Sequence, residues 1–298
     1  MFFSHKTQKR ILPFIFMLPG LIFFFVFQLF PLIKGLQISF YDWQLLPGKV
    51  SEFIGFDNYI RAFQDQVFCR AFKNTIVYTL ITVPGQMILA MLAALLLTSL
   101  PKGRGIFRAI YYIPVITSWL IVSLLIRYMF QSPHGLVNYF LVEMFHIVED
   151  PIPWLRQANT SFVPILLLGI WKGIGWNMVI YIAALLGIPT ELKEAAAIDG
   201  ANGWQRFWFI IAPLISPTIV FTLIMLLIGG FNVFISVYLI TGGGPMQQTE
   251  VMLSYAYHQA FDFLDFGYGA ALSYIMAFLI VFLSVLQIKF LRKPQEIY

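Results

Sequence analysis

Residues 162–186 read FVPILLLGIWKGIGWNMVIYIAALL and carry a single charged side chain, that of Lys172. A helix needs about 20 residues to cross the ~30 Å hydrocarbon core of a bilayer, so this stretch is long enough to span it. The whole chain has the same character, since 59% of its 298 residues are hydrophobic and 11% are charged. Soluble domains have roughly 25% charged residues. The chain therefore lacks the polar side chains that a water-exposed surface needs, and its composition indicates an integral membrane protein.

Six apolar runs of spanning length occur along the chain. They cover residues 11–33, 75–97, 106–126, 162–186, 211–240 and 266–288. None alternates with the period of two that a membrane strand requires. Because backbone polar groups in lipid must be satisfied within the chain, each run predicts a helix. We predict an all-α membrane domain over residues 11–290, flanked by short segments 1–10 and 291–298, with a small helical element in the loop 40–73.

The distribution of Lys and Arg predicts the orientation of these spans. Eleven of these residues lie in the two terminal segments and in the connections after the second and fourth spans, and five lie in the opposite loops. Positive charge is enriched on the cytoplasmic side of membrane proteins. Both termini are therefore expected in the cytoplasm, as an even number of spans requires. The connection 187–212 is expected on the same side.

This connection, GIPTELKEAAAIDGANGWQRFWFIIA, is unusually polar for the chain. Thr190 suits a helix N-cap, and Gly200 suits the left-handed residue that ends a helix. Asn202 and Gln205 have the spacing of a capping box that starts a second helix. We predict two short helices joined at Gly200. The residues alone leave two interpretations open, an amphipathic linker on the membrane surface or a docking element for a cytoplasmic partner.

The segment EAAAIDGANGWQRFWFIIAPL resembles the cytoplasmic signature loop of bacterial ATP-binding-cassette (ABC) importer permeases. The matching positions are Glu194, Ala195, Ala196, Gly200, Ile210 and Pro213. Ala212 stands where that pattern has leucine. The words FIGFDNYIRAF, FKNTIVYTL, YYIPVITS and LITGGGPMQQTE resemble the carbohydrate-uptake group of these permeases, and the resemblance runs nearly end to end.

The resemblance implies a type I importer permease fold of six spans in the bacterial inner membrane. It implies that the chain forms half of the pore of an ATP-driven importer of sugars or related polyols. In such permeases the signature loop is a coupling helix seated on an ATPase subunit. The implied coupling residues are Glu194, Ala195, Ala196, Asp199 and Gly200.

The implied partners are a second permease of different sequence, two ATP-binding subunits, an extracytoplasmic solute-binding protein, the sugar and membrane lipid. Nucleic acid is not among them. ATP and Mg would be held by the ATP-binding subunits, because this chain has no G-x-x-x-x-G-K-[ST] loop. No metal cluster, cofactor site or catalytic set is expected, so the chain is not interpreted as an enzyme.

Polar and aromatic side chains inside apolar spans are candidates for the solute path, because burying them in lipid is costly. The candidates are Trp171, Lys172, Asn177, Phe231, Asn232, Ser236, Ser273 and Tyr274. Asn232 is the strongest, since its amide can bond sugar hydroxyls and rings lie beside it. Ser and Tyr in spans often serve as contacts between helices instead. Lys172 has the alternatives of an ion pair or of reaching towards the membrane surface.

The glycines Gly242, Gly243 and Gly244 in TGGGP are expected to form a tight outer loop near a docked binding protein. A phosphate cradle is disfavoured because Pro245 follows them instead of Lys-Ser/Thr. An ion-driven secondary transporter is the alternative function, but it needs carboxylates at mid-membrane. None of the 14 acidic residues lies centrally in a predicted span. Disaccharides, oligosaccharides, polyols and glycerol phosphates all remain open as solutes.

Overall fold

The computed structural model describes the backbone of residues 5–45 and 50–291. Residues 1–4, 46–49 and 292–298 lie outside the described part, and the predicted terminal segments therefore fall largely beyond it. The chain is mostly helical and divides into two compact units. One unit comprises Met1–Gln64 with Ala256–Ile275, and the other comprises Asp65–Tyr255 with Met276–Tyr298.

The first unit begins with a nearly continuous apolar helix and continues with a small β-ribbon. Its elements are α1 His5–Phe24, a wide π-helical turn Phe25–Leu29, α2 Phe30–Ile38, β1 Tyr41–Asp42, β2 Glu52–Phe53 and α3 Asp57–Gln64. The two strands pair antiparallel, with Tyr41 opposite Phe53. The all-α prediction is wrong at this ribbon, because the alternation of two residues on each strand is too short to be read from sequence.

The second unit contains most of the remaining helices. They are α4 Gln66–Ser99, α5 Arg104–Ile116, α6 Trp119–Met129, α7 Leu136–Asn138, α8 Val163–Leu186, α9 Thr190–Ile198, α10 Gly203–Arg206, α11 Ala212–Leu214, α12 Ser216–Phe231 and α13 Ile235–Ile240. The wide turns Tyr139–Met144 and Phe207–Ile211 continue α7 and α10. The chain closes with α14 Met252–Tyr257, a third such turn at His258–Asp262, and α15 Phe266–Leu291.

Four helices in the described residues are long and apolar enough to cross a membrane, and up to six if each bent pair counts as one span. The four are Phe16–Ile38, Gln66–Ser99, Val163–Leu186 and Phe266–Lys289. The bent pairs are Arg104–Ile116 with Trp119–Met129, at 92°, and Gly203–Leu214 with Ser216–Phe231, at 74°. The predicted spans over 106–126 and 211–240 fall on these bent pairs, so neither is a single straight helix.

The breaks follow from proline chemistry. Pro114 lies in the last turn of α5, and Thr117 behind it is extended. Pro213 and Pro217 flank Ile215 at the second break. A proline has no N–H to donate and its ring clashes with the preceding turn, so a helix bends or ends there. Residues 232–234 separate α12 from α13, so the predicted span 211–240 contains a second interruption near its end.

The second span is longer than the predicted residues 75–97, because α4 begins at Gln66. Asp65 caps it by accepting hydrogen bonds from the backbone N–H groups of Val67 and Phe68, at 2.8 and 3.3 Å. An aspartate at the N-cap satisfies N–H groups that the helix itself leaves without partners. The polar start of α4 was hidden from a hydropathy argument that follows apolar residues only.

Polar contacts hold α3 to its neighbours within the first unit. Asn58 donates its amide to the backbone oxygens of Ser39 and Tyr41, at 3.0 and 3.1 Å. Arg61 forms a 2.7 Å ion pair with Asp265 and lies 3.9 Å from the ring centroid of Tyr268. The predicted helical element in the loop 40–73 thus exists as α3, together with the ribbon and the first turns of α4.

Small residues permit close helix packing in the second unit. A Cβ on Gly173 would lie 1.8 Å from Gln86 Oε1, and one on Gly175 would lie 2.2 Å from the backbone oxygen of Tyr111. The glycines of α8 therefore let α4 and α5 approach its backbone, as small residues do at helix contacts in membranes. Further along α8, the hydroxyl groups of Tyr181 and of Thr222 on α12 share a 2.8 Å hydrogen bond.

We predict that Gly175→Ala destabilises the protein by about 1–3 kcal/mol, because the added methyl group overlaps backbone that has no free space to move into. Gly229→Ala is the matched control, since a Cβ at that helical glycine has nothing within 4 Å. Its unfolding temperature should stay equal or rise, because alanine loses less backbone entropy than glycine in a helix. Thermal unfolding in lipid nanodiscs measures both variants. Equal stability of the two would contradict the close approach of α5 to α8.

Candidate functional site

The polar connection between α8 and α12 folds as two short helices around Gly200, as predicted. Gly200 has a positive φ of 76°. The N–H of Ala201 bonds the oxygen of Ala196 at 3.0 Å, and the N–H of Gly200 bonds that of Ala197 at 3.2 Å. This pair of bonds is a Schellman motif, in which a left-handed residue satisfies the last carbonyl groups of a helix.

The second helix of the connection begins with the predicted capping box. Asn202 accepts from the N–H of Gln205 at 2.9 Å, and the Gln205 side chain accepts from the N–H of Asn202 at 2.9 Å. The predicted cap at Thr190 is wrong in detail. Thr190 is the first residue of α9 and makes no capping bond, because Pro189 occupies the cap position.

The exposed residues of this connection include Glu194, Ala195, Ile198, Asp199 and Gly200. Ile198 is 86% exposed, which is unusual for an isoleucine at the end of a helix. Ala196 instead faces inward and is 6% exposed, so it supports α9 from behind. Glu194 makes no ion pair or hydrogen bond through its side chain with any residue in the described part of the chain. Its carboxylate is therefore available to another molecule.

Lys172 lies at the break between α5 and α6. Its Nζ donates to the backbone oxygens of Pro114 and Thr117, both at 2.6 Å, and lies 3.5 Å from Thr117 Oγ1. The ring centroid of Trp119 is 4.9 Å away. The residue is 4% exposed. The ammonium group thus satisfies carbonyl groups at the C-terminal end of α5, where the helix dipole favours a positive charge.

The other two candidates on α8 lie in different surroundings. Trp171 is 47% exposed and lies on the outer surface of the helix. Asn177 is buried and donates its amide to the oxygen of Gly173, one turn earlier, at 2.8 Å. The structure therefore does not bring the three candidates of this helix to one surface.

The break between α12 and α13 carries the candidates of the fifth span. Asn232 is the C-cap of α12, is exposed, and donates its side-chain amide to the oxygen of Ile228 at 2.8 Å. Phe231 and Ser236, on either side of the break, are buried. Only Asn232 of this set thus presents a polar side chain outward. Broken helices with free backbone and polar side chains form the binding sites of many transporters.

Ser273 and Tyr274 lie on α15, in the first unit. Ser273 bonds the oxygen of Gly269 at 2.9 Å, one turn earlier on the same helix. The Tyr274 hydroxyl donates to the oxygen of Leu32 on α2. These hydrogen bonds fit the alternative interpretation, in which the two side chains connect turns and helices. Both residues are half-buried.

The loop that contains Gly242, Gly243 and Gly244 is tightly hydrogen-bonded. Gly242 and Gly243 have positive φ of 59° and 81°. A Cβ on Gly243 would lie 1.9 Å from Glu250 Oε1, so this position requires glycine. Thr249 Oγ1 bonds the oxygen of Gly244 and the hydroxyl of Thr241, both at 2.7 Å.

The start of α4 holds the same loop from the other side. Asn74 donates to the oxygens of Gln248 and Glu250, both at 2.8 Å. Met246 stands at the tip of the loop, 80% exposed. Sequence reasoning did not single out Asn74 or Glu250, because they are far apart in the chain. The only signal was their presence in the words FKNTIVYTL and LITGGGPMQQTE.

The fold and these sites define a multi-pass helical membrane protein whose apolar helices are broken where polar side chains meet them, an arrangement typical of transporters. Residues 86–293 match the family described as "Binding-protein-dependent transport system inner membrane component". The match covers most of the chain, and the chain belongs to this family. It is therefore an ABC transporter permease subunit of the inner membrane, and its relatives are transporter subunits and not enzymes.

Named relatives and solved structures agree with this assignment. The chain is 34% identical over 289 residues to the "Lactose transport system permease protein LacF" of Rhizobium radiobacter, with 95% of each chain covered. It is similar to a bacterial ABC transporter "involved in the import of the acidic polysaccharide alginate", with a TM-score of 0.83, 27% identity, and 98% and 99% of the chains covered. It is also similar to a second structure, a bacterial alginate transporter in complex with an alginate pentasaccharide-bound periplasmic protein. There the TM-score is 0.80 and the identity is 27%, with 95% of this chain and 94% of the other covered.

We predict that Lys172→Met destabilises the bend between α5 and α6. The change removes the ammonium donor from the carbonyl groups of Pro114 and Thr117, of which the Pro114 oxygen keeps a 2.6 Å bond from Thr117 Oγ1. A carbonyl group left unsatisfied costs about 1–3 kcal/mol. Spin labels at the exposed positions Ile110 and Leu125 should report a broader distance distribution. Lys289→Met, at an exposed lysine, is the control. An unchanged distance and unfolding temperature in Lys172→Met would show that the lysine does not stabilise the break.

Proposed function

We propose that this chain forms half of the pore of an ATP-driven importer for a sugar, an oligosaccharide or a related polyol. The observation that carries the proposal is the near full-length similarity, in sequence and in fold, to permeases named for carbohydrates. LacF is named for lactose, and the solved transporters are described as importing alginate. The similarity extends over at least 94% of each chain in all three comparisons, so it is not confined to a shared membrane anchor.

The connection 187–212 is proposed as the coupling element. Glu194 presents a carboxylate with no partner among the described residues, beside Ala195 and the exposed Ile198. A basic side chain of an ATP-binding subunit would donate a charge-assisted hydrogen bond to it. Small Ala195 leaves room for close approach, and Ile198 supplies apolar area. Asp199 and Gly200 end the helix in the turn that shapes this surface.

This geometry suits transmission of force. α8 ends at Leu186 and α9 begins at Thr190, so only a short linker separates the span from the proposed docking surface. Lys193 of α9 donates to the backbone oxygen of Leu185, in the last turn of α8, at 3.1 Å. Displacement of α9 would therefore move α8 instead of being lost in a flexible loop. ATP and Mg would be bound by two ATP-binding subunits, whose closure would switch the pore in a rigid-body movement.

A second permease chain and lipid would cover the apolar surface that this chain exposes. The candidate span Phe16–Ile38 has none of its residues buried within the chain. In a membrane such a helix is covered by lipid or by another membrane protein. A complete pore requires a second permease subunit, and we propose that this subunit is a homologous chain of different sequence.

The proposed orientation has both termini in the cytoplasm. It rests on the eleven Lys and Arg residues of one set of connections against the five of the other. The connection 187–212 would then face the ATP-binding subunits. The loop with Gly242, Gly243 and Gly244 would face the extracytoplasmic solute-binding protein.

Asn232 is the proposed solute contact, because it is exposed at a break in a span and its amide oxygen can accept from a sugar hydroxyl. Exposed Trp171 offers a ring face to a sugar. Lys172 and Asn177 are buried, and we propose that they shape the path by holding helices in place. Phe231 and Ser236 would do the same at the α12–α13 break. Ser273 and Tyr274 are the weaker candidates, since their hydrogen bonds to Gly269 and Leu32 suit contacts within and between helices.

The loop from Thr241 to Glu250 is proposed as the docking element for the solute-binding protein. Its backbone is held by Thr249 and Asn74, whereas Met246 at its tip is exposed. A loop that is rigid before docking loses little entropy when a partner binds it.

We predict that Glu194→Arg abolishes coupling. An arginine at position 194 would repel the basic side chain of the ATP-binding subunit, so sugar-stimulated ATP hydrolysis should fall by about tenfold or more. The hydrogen bond that is lost involves charged groups, and such bonds contribute roughly 1.5–3 kcal/mol. Co-purification of the ATP-binding subunits and ATPase activity in proteoliposomes measure the effect. Glu191→Arg is the control, because Glu191 lies on the exposed first turn of the same helix outside the signature. Wild-type coupling in Glu194→Arg would refute the proposed docking surface.

We predict that Met246→Glu reduces the stimulation of ATP hydrolysis by the sugar-loaded binding protein and leaves basal hydrolysis unchanged. Met246 is 80% exposed, so the change should not disturb folding. Ile147→Glu is the control, because Ile147 is an apolar residue of comparable exposure, 66%, in another loop. The measurement is ATPase activity as a function of the concentration of sugar-loaded binding protein, compared between Met246→Glu and Ile147→Glu. Equal titration curves for both variants would place the docking surface elsewhere.

A further inference from the structure

A cavity of about 560 Å³ opens in the second unit where α6 and α13 end. Its walls come from the last turn of α6, the turn after it, the segment before α8, and the end of α13. The volume lies within the roughly 300–1,000 Å³ typical of sites for small molecules. None of the solute-path or coupling candidates contributes to this lining.

Two arginines, Arg127 and Arg156, supply the charge of the cavity, and its lining contains no aspartate or glutamate. Neither arginine forms an ion pair with a carboxylate in the described part of the chain. Arg127 donates one long bond, 3.3 Å, to the oxygen of Leu239. Arg156 makes no side-chain hydrogen bond with any described residue. Most of the N–H groups of both guanidinium groups thus remain available.

The position of Arg127 explains part of its presence, but it does not explain that of Arg156. Arg127 lies in the last turn of α6, where the helix dipole favours a positive charge. Arg156 lies outside any helix and has no such compensation. Both side chains are exposed, so water screens their mutual repulsion, whereas an anion between them is attracted by both charges. This combination therefore points to a bound anion.

The neutral lining specifies the ligand further. Gln131 and Ser132 add groups that both donate and accept hydrogen bonds, and Tyr128 adds an aromatic ring with a hydroxyl. The lining residue Thr241 already uses its hydroxyl for bonds to Val237 and Thr249. Leu124 and Leu155 form an apolar side of the cavity. Guanidinium groups bind carboxylates and phosphates through paired hydrogen bonds. Amide and hydroxyl side chains suit the hydroxyl groups of a polyol.

We infer that this cavity binds an anionic polyol, a carboxylate or phosphate carried on a hydroxylated carbon chain or ring. Arg127 and Arg156 hold the anionic group, and Gln131 and Ser132 bond the neighbouring hydroxyls. Thr241 is also the first residue of the proposed docking loop, so an occupant would lie beside that loop. A carboxylated or phosphorylated solute has this chemistry, and so does the headgroup of phosphatidylglycerol. The solute source rests on the proposed function, whereas the lipid source does not.

The test uses the full-length chain in nanodiscs and the double variant Arg127→Gln/Arg156→Gln. In phosphatidylcholine nanodiscs, radiolabelled galacturonate and glycerol 3-phosphate probe the solute source, with galactose and glycerol as neutral controls. In mixed nanodiscs, native mass spectrometry measures retained phosphatidylglycerol. We expect an anionic probe to bind in at least one arm, and the double variant to weaken that binding by about tenfold or more.

Arg104→Gln/Arg108→Gln is the matched control, since it removes two arginines from a separate, smaller cavity of about 30 Å³. It should leave binding of the soluble probes unchanged and should release less phosphatidylglycerol than the first double variant. No anionic binding in either arm, equal binding of neutral and anionic probes, or equal effects of the two double variants would overturn the inference. The assay needs neither ATP nor transport. An assembled transporter that failed to import sugar would therefore refute the proposed function and leave this result standing.

Discussion

A backbone carbonyl inside a hydrocarbon layer has no water to bond, so every break in a membrane-spanning helix must find a partner for the carbonyl groups that it frees. This constraint bears on two of the breaks in the described chain, those between α5 and α6 and between α12 and α13. At the α5–α6 break, Lys172 reaches across from α8 to bond Pro114 and Thr117. At the α12–α13 break, the side-chain amide of Asn232 donates to the oxygen of Ile228 at 2.8 Å, which the backbone N–H of Asn232 also bonds at 3.2 Å. At each of these two breaks a polar side chain thus bonds a backbone carbonyl group.

The two solutions differ in their consequences. Lys172 is committed to carbonyl groups of another helix, so the bend of α5 against α6 and the position of α8 depend on each other. Asn232 is bonded only within its own turn and stays exposed, which leaves its amide oxygen available. The same requirement therefore makes one polar residue a structural support and leaves the other as the better candidate for solute contact.

Outside the apolar spans the chain follows another rule. The connection around Gly200 satisfies its backbone locally, through a Schellman motif and a capping box, and leaves Glu194 and Ile198 exposed. Local satisfaction requires no buried partner, so a short helix pair can stand at the surface with a defined shape. The loop around Thr249 is built differently, because Asn74 of α4 holds its backbone from a distance.

Local sequence determined what local physics controls. Apolar length located the helices, and Gly200, Asn202 and Gln205 predicted the turn and cap of the connection, because these signals act over a few residues. Tertiary structure alone decided the direction and form of the breaks. It also decided the β-ribbon at Tyr41 and the partners of Lys172. Each of these depends on groups far apart in the chain, and a side chain or carbonyl in a linear sequence does not reveal which distant atom will satisfy it.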